Sequence, residues 1–506
     1  MSAEKNGRTG NMPVKDSGDR CSRRQVLGAA LATGSVAAAM GMQMPHGPAG
    51  KAPPLTRRQR LSTPLPKPNG LNLIVIIADS TRCDHLGAYG NQRVKTPNLD
   101  RLAAEGTVFE NSYADGLPTI PCRRVYHSGR SLLEEKRPWW RQLDEEDVTL
   151  AEVLQKAGLT TGFIADTYHY FKPDMNFHRG FDSWQWIRGQ ETDRWISGPR
   201  DGVDPSRHIP PHLQNPRYLQ NMTQYMLNTS QRKGEEDYFC AQSCTAAMKW
   251  LEQDARQKPF LLWVDMFDPH EPWDAPPRFQ QMYRRDYGYE RYLFGYGVRL
   301  QDIRESDYPV LRDLYAAEVT FSDHCIGRLL DQIDRLGLRD NTVVVFSTDH
   351  GTHLGEFGCV QKTPGLLNSA VAHLPLIVRH PDRKHAGKRV KGFVSAVDYM
   401  PSFLSLMGIP NFPGLVGKNF WALADSPEKQ NYERVFSGYE NFAAVRDHKW
   451  HYFQNFRGNN PGKGPALYDL EADPGETRNV AGSHPDIVTE RRALLAERFK
   501  AQLPAL

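Results

Sequence analysis

Residues 71–78 read LNLIVIIA, an apolar run rich in β-branched residues and unbroken after Asn72, and Asp79 follows at once. A strand without polar alternation is buried on both faces, as in a parallel sheet covered by helices. Phe260-Leu261-Leu262-Trp263-Val264 repeats the pattern before Asp265 to His270, and Thr342-Val343-Val344-Val345-Phe346 repeats it before Asp349-His350. Three buried strands thus deliver polar groups at their carboxyl ends. Helical periods separate them, over residues 96–105, 149–157 and 323–336. The alternation predicts an α/β fold, a large mainly parallel sheet flanked by helices, with ligands at the carboxyl edge of the strands.

The pattern changes twice along the chain. Residues 184–231 are rich in Trp, Pro, Arg, Asn and Gln with weak periodicity, which predicts an insertion decorating the active face. Trp184, Trp186 and Trp195 within it are of a type that stacks on sugar rings, but a place in the core is the better expectation. Beyond about Pro410 the strands become short, at 443–446 and 450–453, and a helix closes the chain over 485–501. That is the signature of a small antiparallel α+β subdomain at 411–506, after the larger α/β domain at 71–410.

The amino-terminal stretch reads as an address. Ser22-Arg23-Arg24-Gln25-Val26-Leu27 precedes a charge-free small-residue run over 28–44, the form of a twin-arginine signal at 1–45, with a solvated linker at 46–70. A membrane anchor is the rival reading, although the run is short for a span and rich in Ala and Gly. The chain is therefore expected to pass through the twin-arginine machinery to the periplasm or the exterior, with no stable span after cleavage.

Composition sets the remaining bounds. With 39% hydrophobic residues in 506, the chain can build a sizeable core, which excludes a fully disordered protein. Its 63 basic and 59 acidic residues leave a net charge of only +4, so no basic field marks a nucleic-acid partner, and any anionic substrate must be met by local charge. Six cysteines follow the signal, at Cys83, Cys122, Cys240, Cys244, Cys325 and Cys359, without metal-knuckle spacing. Cys240 and Cys244 suit one helix. An oxidising compartment permits a disulfide, and the sequence does not pair it.

Asp79 and Asp349-His350 place carboxylates and an imidazole at the ends of buried strands, where charge is costly unless a cation or hydrogen bonds compensate it. Around Thr119 the chain reads Leu117-Pro118-Thr119-Ile120-Pro121-Cys122-Arg123-Arg124, with Ser128-Gly129-Arg130 after it. This resembles the Cys/Ser-x-Pro-x-Arg motif and following Thr-Gly-Arg of the sulfatase family, within the alkaline-phosphatase superfamily. Anchored on the final Gly-Arg, Thr119 falls at the family's cysteine and Cys122 does not. Leu86-Gly87-Ala88-Tyr89-Gly90, the run 96–106, His178-Arg179-Gly180-Phe181-Asp182, Asp268-Pro269-His270-Glu271-Pro272, Thr348-Asp349-His350-Gly351 with Leu354-Gly355-Glu356, and Leu467-Tyr468-Asp469-Leu470 with Asp473-Pro474-Gly475-Glu476 extend the likeness in the family's order.

Carried over, the resemblance implies that Asp79, Asp349 and His350 bind one divalent metal and that Thr119 adds an oxygen. Arg123 would hold the nucleophile side, and His270 and Lys362 would face the ester oxyanion. Oxygen donors with one imidazole suit calcium, the family's usual ion, or magnesium, and also admit manganese or zinc. Asp265, Asp268 and His270 could supply only part of a second metal set.

Three departures change the chemistry. Sulfatases oxidise Cys or Ser to formylglycine; threonine cannot follow that route, so no formylglycine is expected and Thr119 could attack only as an alkoxide. Ser80 stands where the family has another metal-binding aspartate, and Asp79-Ser80-Thr81-Arg82-Cys83-Asp84 resembles the opening of phosphonate monoester hydrolases instead. At Ile164-Ala165-Asp166-Thr167-Tyr168-His169, Asp166 takes the place of a lysine, and His169 stands in for the family histidine one residue out of register. The expected function is hydrolysis of a sulfate or a phosphate/phosphonate ester, with an anionic ester as substrate and a glycan ester among the candidates. A silent metal-containing binder of sulfated or phosphorylated glycans and a phosphoryl-type transferase are the alternatives.

Overall fold

The apolar run that ends at Asp79 is strand β1 (Asn72–Ala78), all of it buried. The computed structural model describes residues 56–499 apart from 63, 136–138, 256–258, 285, 290, 364 and 456–464, so the twin-arginine segment assigned to 1–45 lies outside the described residues. In chain order the further strands are β2 (Thr107–Tyr113), β3 (Gly116–Leu117), β4 (Thr160–Ala165), β5 (Ser183–Trp186), β6 (Phe260–Met266), β7 (Thr342–Ser347), β8 (His353–Leu354), β9 (Val360–Gln361), β10 (His373–Arg379) and β11 (Lys388–Ser395). Four more follow: β12 (Val435–Tyr439), β13 (Phe442–Arg446), β14 (Trp450–Asn455) and β15 (Ala466–Asp469).

The main sheet has eight strands in the order β11-β2-β10-β7-β1-β6-β4-β5. β1 runs parallel to both β6 and β7, and β10 alone runs antiparallel to its neighbours. Alternate residues of β1 feed two separate cores. Leu73, Val75 and Ile77 pack with Ile120 and Val125 of the helix Thr119–Ser128 and with Leu150 and Val153 of the helix Leu150–Lys156. Ile74, Ile76 and Ala78 pack on the other face with Cys240 and Cys244 of the helix Phe239–Gln253 and with Leu314 and Phe321 of the helix Tyr308–Arg335. Burial of each such aliphatic side chain contributes roughly 1.5–3 kcal/mol. The sheet is therefore rigid where its strands end, which is where the polar residues sit.

Local signals explain the helix starts. Thr149 and Glu152 form a reciprocal cap, with Glu152 N donating to Thr149 Oγ1 at 3.1 Å and Thr149 N to a Glu152 carboxylate oxygen at 2.9 Å. The helix Pro97–Glu105 is capped from outside by Asp323, which accepts from Leu99 N at 2.7 Å. Asp323 itself lies inside the helix Tyr308–Arg335, which begins fifteen residues before the expected start at 323. Residues 311–323 of that helix are almost all buried, so they lack the one-sided period that marks a surface helix.

The stretch read as an insertion begins with β5, which pairs with β4 as the sheet's edge strand, and continues to a helix at Pro216–Asn228. Trp184 and Trp195 are not core residues: half of each is exposed, and Trp186 is half-buried. The segment read as linker contains the short helix Arg57–Ser62, whose Arg57 pairs with Glu152. At the carboxyl-terminal end β12 to β15 form the expected antiparallel sheet, and the helix Pro485–Arg498 follows. That sheet also takes in β3, paired with β12 through Gly116 with Gly438 and Leu117 with Tyr439. Among the described residues no helix is long and apolar enough to cross a membrane.

Candidate active site

Asp79 leaves β1, and Asp349 and His350 leave β7, so the parallel pairing of the two strands sets these three side chains side by side. All three are fully buried, and one ligand atom from each falls within 4.8 Å of the others. His350 Nδ1 lies 2.9 Å from Gly351 O, an acceptor only, so Nδ1 carries the proton and the Nε2 lone pair is free. Nε2 is 3.2 Å from Asp349 Oδ2 and 3.8 Å from Asp79 Oδ1. Gly351 is required here, since a Cβ would meet Ala370 O at 2.1 Å.

Thr119 is the first residue of the helix Thr119–Ser128, whose amino-terminal dipole favours negative charge. Its Oγ1 stands 3.2 Å from His350 Nε2. The acidic pair is thereby joined to the Thr119 hydroxyl. Cys122, one turn along, is fully buried in the core beneath.

Arg123 is fully buried among three carboxylates. Nη2 donates to Asp265 Oδ1 at 2.7 Å and Nε to Oδ2 at 3.1 Å, while Nη1 donates to Asp349 Oδ2 and lies 2.9 Å from Asp79 Oδ2. The contact with Asp79 lacks hydrogen-bond geometry, and Asp79 Oδ2 is a buried oxygen without a bond. Burial, then repulsion from Asp349, pushes the Asp79 carboxyl well above the usual range. Burial also works to raise Asp349, but Arg123 and His350 overcome it and hold that carboxyl below the usual range. Burial lowers the His350 imidazole to about 4. Two carboxylates this close ionise together only beside ample positive charge, of which Arg123 supplies one unit. A divalent cation fits the remainder: an orphaned carboxylate oxygen, a second carboxylate and an imidazole lone pair converge with a hydroxyl.

Asp265 is therefore the counterion of Arg123 rather than a spare metal ligand. It also accepts from Thr167 Oγ1 at 2.9 Å and from Tyr170 OH at 2.6 Å. Ser80, at a positive φ of 61°, replaces the expected second aspartate by holding the first: its Oγ donates to Asp79 Oδ1 at 2.7 Å and its N–H to Asp349 Oδ1 at 3.2 Å. In the string Asp79-Ser80-Thr81-Arg82-Cys83-Asp84, Arg82 clamps Asp84 to Glu356, at 2.6 Å and 2.8 Å.

Thr119 opens on a cavity of about 550 Å³ that His169, His270 and Lys362 also line. His270 Nδ1 lies 2.6 Å from the Glu271 carbonyl, so Nε2 accepts from Lys362 Nζ at 2.6 Å. Burial, then Lys362, keeps the His270 imidazole well below its ordinary value, and hence neutral. Burial, then Lys172, does the same to His169, whose Nδ1 is 3.1 Å from Lys172 Nζ. The structure thus brings together every predicted site residue, with His169 at the rim beside a lysine that sequence reasoning missed. Asp166 does not line the cavity: it accepts from Phe267 N at 2.6 Å in the wall behind. Glu271, which accepts from Lys362 Nζ at 3.0 Å, could have been found beside His270. Glu191, Trp140, Tyr296 and Tyr439 come from separate segments without any sequence signal.

A mainly parallel sheet with this acid, imidazole and hydroxyl cluster at its carboxyl edge defines an ester hydrolase of the alkaline-phosphatase superfamily. The sulfatase family model matches residues 71–409, and that of the N-sulphoglucosamine sulphohydrolase carboxyl terminus matches residues 355–502. The chain belongs to the sulfatase family. Among its relatives, the N-acetylglucosamine-6-O-sulfatase of Bacteroides thetaiotaomicron is 24% identical, over 81% of this chain and 82% of its own length. The ulvan-active sulfatase of Formosa agariphila is 26% identical over 86% and 81%. The crystal structure of the phosphonate monoester hydrolase of Agrobacterium radiobacter superposes with a TM-score of 0.68 at 20% identity, covering 86% of this chain and 96% of that one.

Proposed function

We propose that this hydrolase cleaves a sulfate, phosphate or phosphonate ester with Thr119 as its nucleophile. The observation that carries the reading is the placing of Thr119 Oγ1, on a helix amino terminus, 3.2 Å from His350 Nε2 and at the mouth of a cavity lined by His169, His270 and Lys362. Asp79, Asp349, His350 and Thr119 Oγ1 would hold one divalent metal, calcium by preference, which when bound lowers the hydroxyl pKa and offsets charge on the ester. Thr119, its hydroxyl proton given up to solvent, attacks the central sulfur or phosphorus as an alkoxide; the bond to the leaving oxygen breaks as that oxygen takes a proton from Lys362 Nζ, and water then cleaves the threonine ester, returning one hydrogen to the hydroxyl and releasing the sulfate, phosphate or phosphonate.

The residues of the chain divide this work. Arg123, fixed by Asp265, holds positive charge behind the nucleophile. Lys362 keeps its ammonium directed by Glu271 and the His270 lone pair, so a proton stands at Nζ for the leaving oxygen. The hydroxyl in place of a hydrated aldehyde favours phosphorus, because expulsion of sulfate by a second geminal hydroxyl is not available to it. Export through the twin-arginine machinery belongs to the same reading and rests on Arg23-Arg24 and the run after them.

The test offers the purified protein matched aryl sulfate, phosphate, phosphodiester and phosphonate esters, with Thr119→Ala beside it. Turnover lost in the variant, with a mass increase on the Thr119 peptide of trapped wild type, is the expected outcome. Turnover that survives Thr119→Ala removes the nucleophile assignment, and no turnover of any ester favours a silent binder.

A further inference from the structure

Across a cavity otherwise built for an anion, one carboxylate has no part in the chemistry above. Glu191 lines the same cavity as Thr119 and Lys362 and is only 4% exposed. Its Oε2 accepts from Tyr168 OH at 2.6 Å, and its Oε1 receives no hydrogen bond among the described residues. Its backbone is left-handed, with φ of 47°, a conformation that disfavours a residue with a Cβ. Strain of this kind persists only where the surroundings enforce it, and it gathers at functional sites.

The surroundings do enforce it. Asn228 Nδ2 donates to Gly189 O at 2.9 Å and to Asp193 O at 2.7 Å, bracketing the turn from both sides. Gln190, next to Glu191, donates from Nε2 to Asp268 Oδ1 at 2.8 Å, and Gly189 N donates to Asp193 Oδ2 at 2.9 Å. A turn tied at four points thus presents one strained, buried acid to the ester cavity. Trp140 and Tyr296, each over two-fifths exposed, stand among the other lining residues and offer apolar faces to whatever carries the ester.

A carboxylate here repels an anionic substrate unless the substrate brings a donor to it. Discrimination of that kind uses repulsion as much as attraction. We infer that Glu191 is a specificity residue: it accepts a hydroxyl or ammonium donor on the alcohol side of the ester and turns away esters with a second anion there. The inference rests on the reading of this cavity as the ester site. Burial, against the Tyr168 hydrogen bond, raises the Glu191 carboxyl to about 7, with Glu271 raising it and Lys362 and Lys172 lowering it further, so its charge responds to what lies beside it.

The test is equilibrium binding by titration calorimetry, on Thr119→Ala protein so that no turnover intervenes. The probes are the cyclohexyl ester and its trans-2-hydroxy, trans-2-amino and trans-2-carboxy analogues, each as sulfate and as phosphate. In the Thr119→Ala protein the hydroxy or amino probe should bind at least about tenfold more tightly than the carboxy probe, equivalent to about 1.4 kcal/mol. The two donor probes show which donor is preferred. Adding Glu191→Gln should shrink the ratio below about threefold, and so should Glu191→Asn, whose side chain is at ease at positive φ. An equal ratio in all three proteins, a carboxy probe bound as well as the amino probe, or no binding of any probe overturns the inference. Wild-type turnover of the same esters is measured separately: its absence with the Kd ranking intact would fault the nucleophile reading and leave Glu191 in place.

Discussion

Asp265→Asn tests whether the buried charge cluster is organised as described. Asp265 and Arg123 are both fully buried, and the carboxylate accepts from Arg123 Nη2 at 2.7 Å, Arg123 Nε at 3.1 Å, Thr167 Oγ1 at 2.9 Å and Tyr170 OH at 2.6 Å. Asparagine keeps the shape, removes the charge and sets an NH2 group against one or more of these donors. Bonds to charged groups contribute about 1.5–3 kcal/mol, and removing one partner of a buried pair costs about 3–5 kcal/mol. Arg123 retains Asp79 and Asp349 as neighbours, so its charge is not stranded and the lower end applies. A loss of about 3 kcal/mol is expected, read from urea unfolding by tryptophan fluorescence, with Trp263 buried two residues before the substitution. A cycle with Arg123→Met should give a coupling energy above about 1.5 kcal/mol, within the range seen for contacting pairs. A loss under about 1 kcal/mol, or simple additivity, would refute the assignment of Asp265 as counterion.

Three further outcomes follow from the same geometry. Thr119→Val keeps the shape and removes the hydroxyl, so kcat/KM should fall by at least about a thousandfold, whereas Thr119→Ser should retain measurable turnover; equal rates for Val and Ser would contradict nucleophilic catalysis. A saturating divalent cation, at about a hundred times its Kd, should stabilise the wild type by about 2.7 kcal/mol and Asp349→Asn by under about 1 kcal/mol, in unfolding measured with and without a chelator. His127 is buried and His373 half-buried, and desolvation lowers them to about 3 and about 4, so the folded state releases their protons where the unfolded chain holds them. Their contribution is complete above pH 6.5 and falls as pH drops towards the folded values, by about 2 kcal/mol each at pH 5; His127→Phe should remove its share of that slope, and an unchanged slope would show His127 to be protonated in the fold.

What the sequence made legible follows from how local the signal is. Asp79 and Asp349-His350 could be read because a buried strand announces its own end, and the parallel register does the rest. Thr119 could be read because a helix start and an arginine four residues on form a contiguous string. Asp265 was visible as a strand-end acid, but whether such a group meets a metal or an arginine depends on a helix 142 residues away in sequence. Glu191 was not legible at all, since nothing in a weakly periodic stretch marks a left-handed acid pinned by Asn228. Trp184 and Trp195 misled because the edge strand and the turn after it leave large aromatics half in solvent.

The carboxyl-terminal sheet bears on the chemistry more directly than its position in the chain implies. Gly116 and Leu117, two residues before Thr119, are not part of the main sheet: they are the fifth strand of the carboxyl-terminal one, paired with Gly438 and Tyr439. Thr119 then begins a helix whose Ile120 and Val125 pack in the core beneath β1. The candidate nucleophile is thus suspended between two sheets, and neither alone fixes it. Tyr439, at the end of β12, also lines the cavity, and its hydroxyl donates to the Lys362 carbonyl at 3.0 Å. One short strand therefore sets the spacing between the Thr119 hydroxyl, the proposed nucleophile, and the Lys362 ammonium, the proposed donor to the leaving group. A shift of about 1 Å at such a pairing is enough to cost about a hundredfold in rate. Changes that loosen β12 should lower kcat before they unfold the protein, and a variant that loses stability there without losing rate would show that the main sheet positions Thr119 unaided.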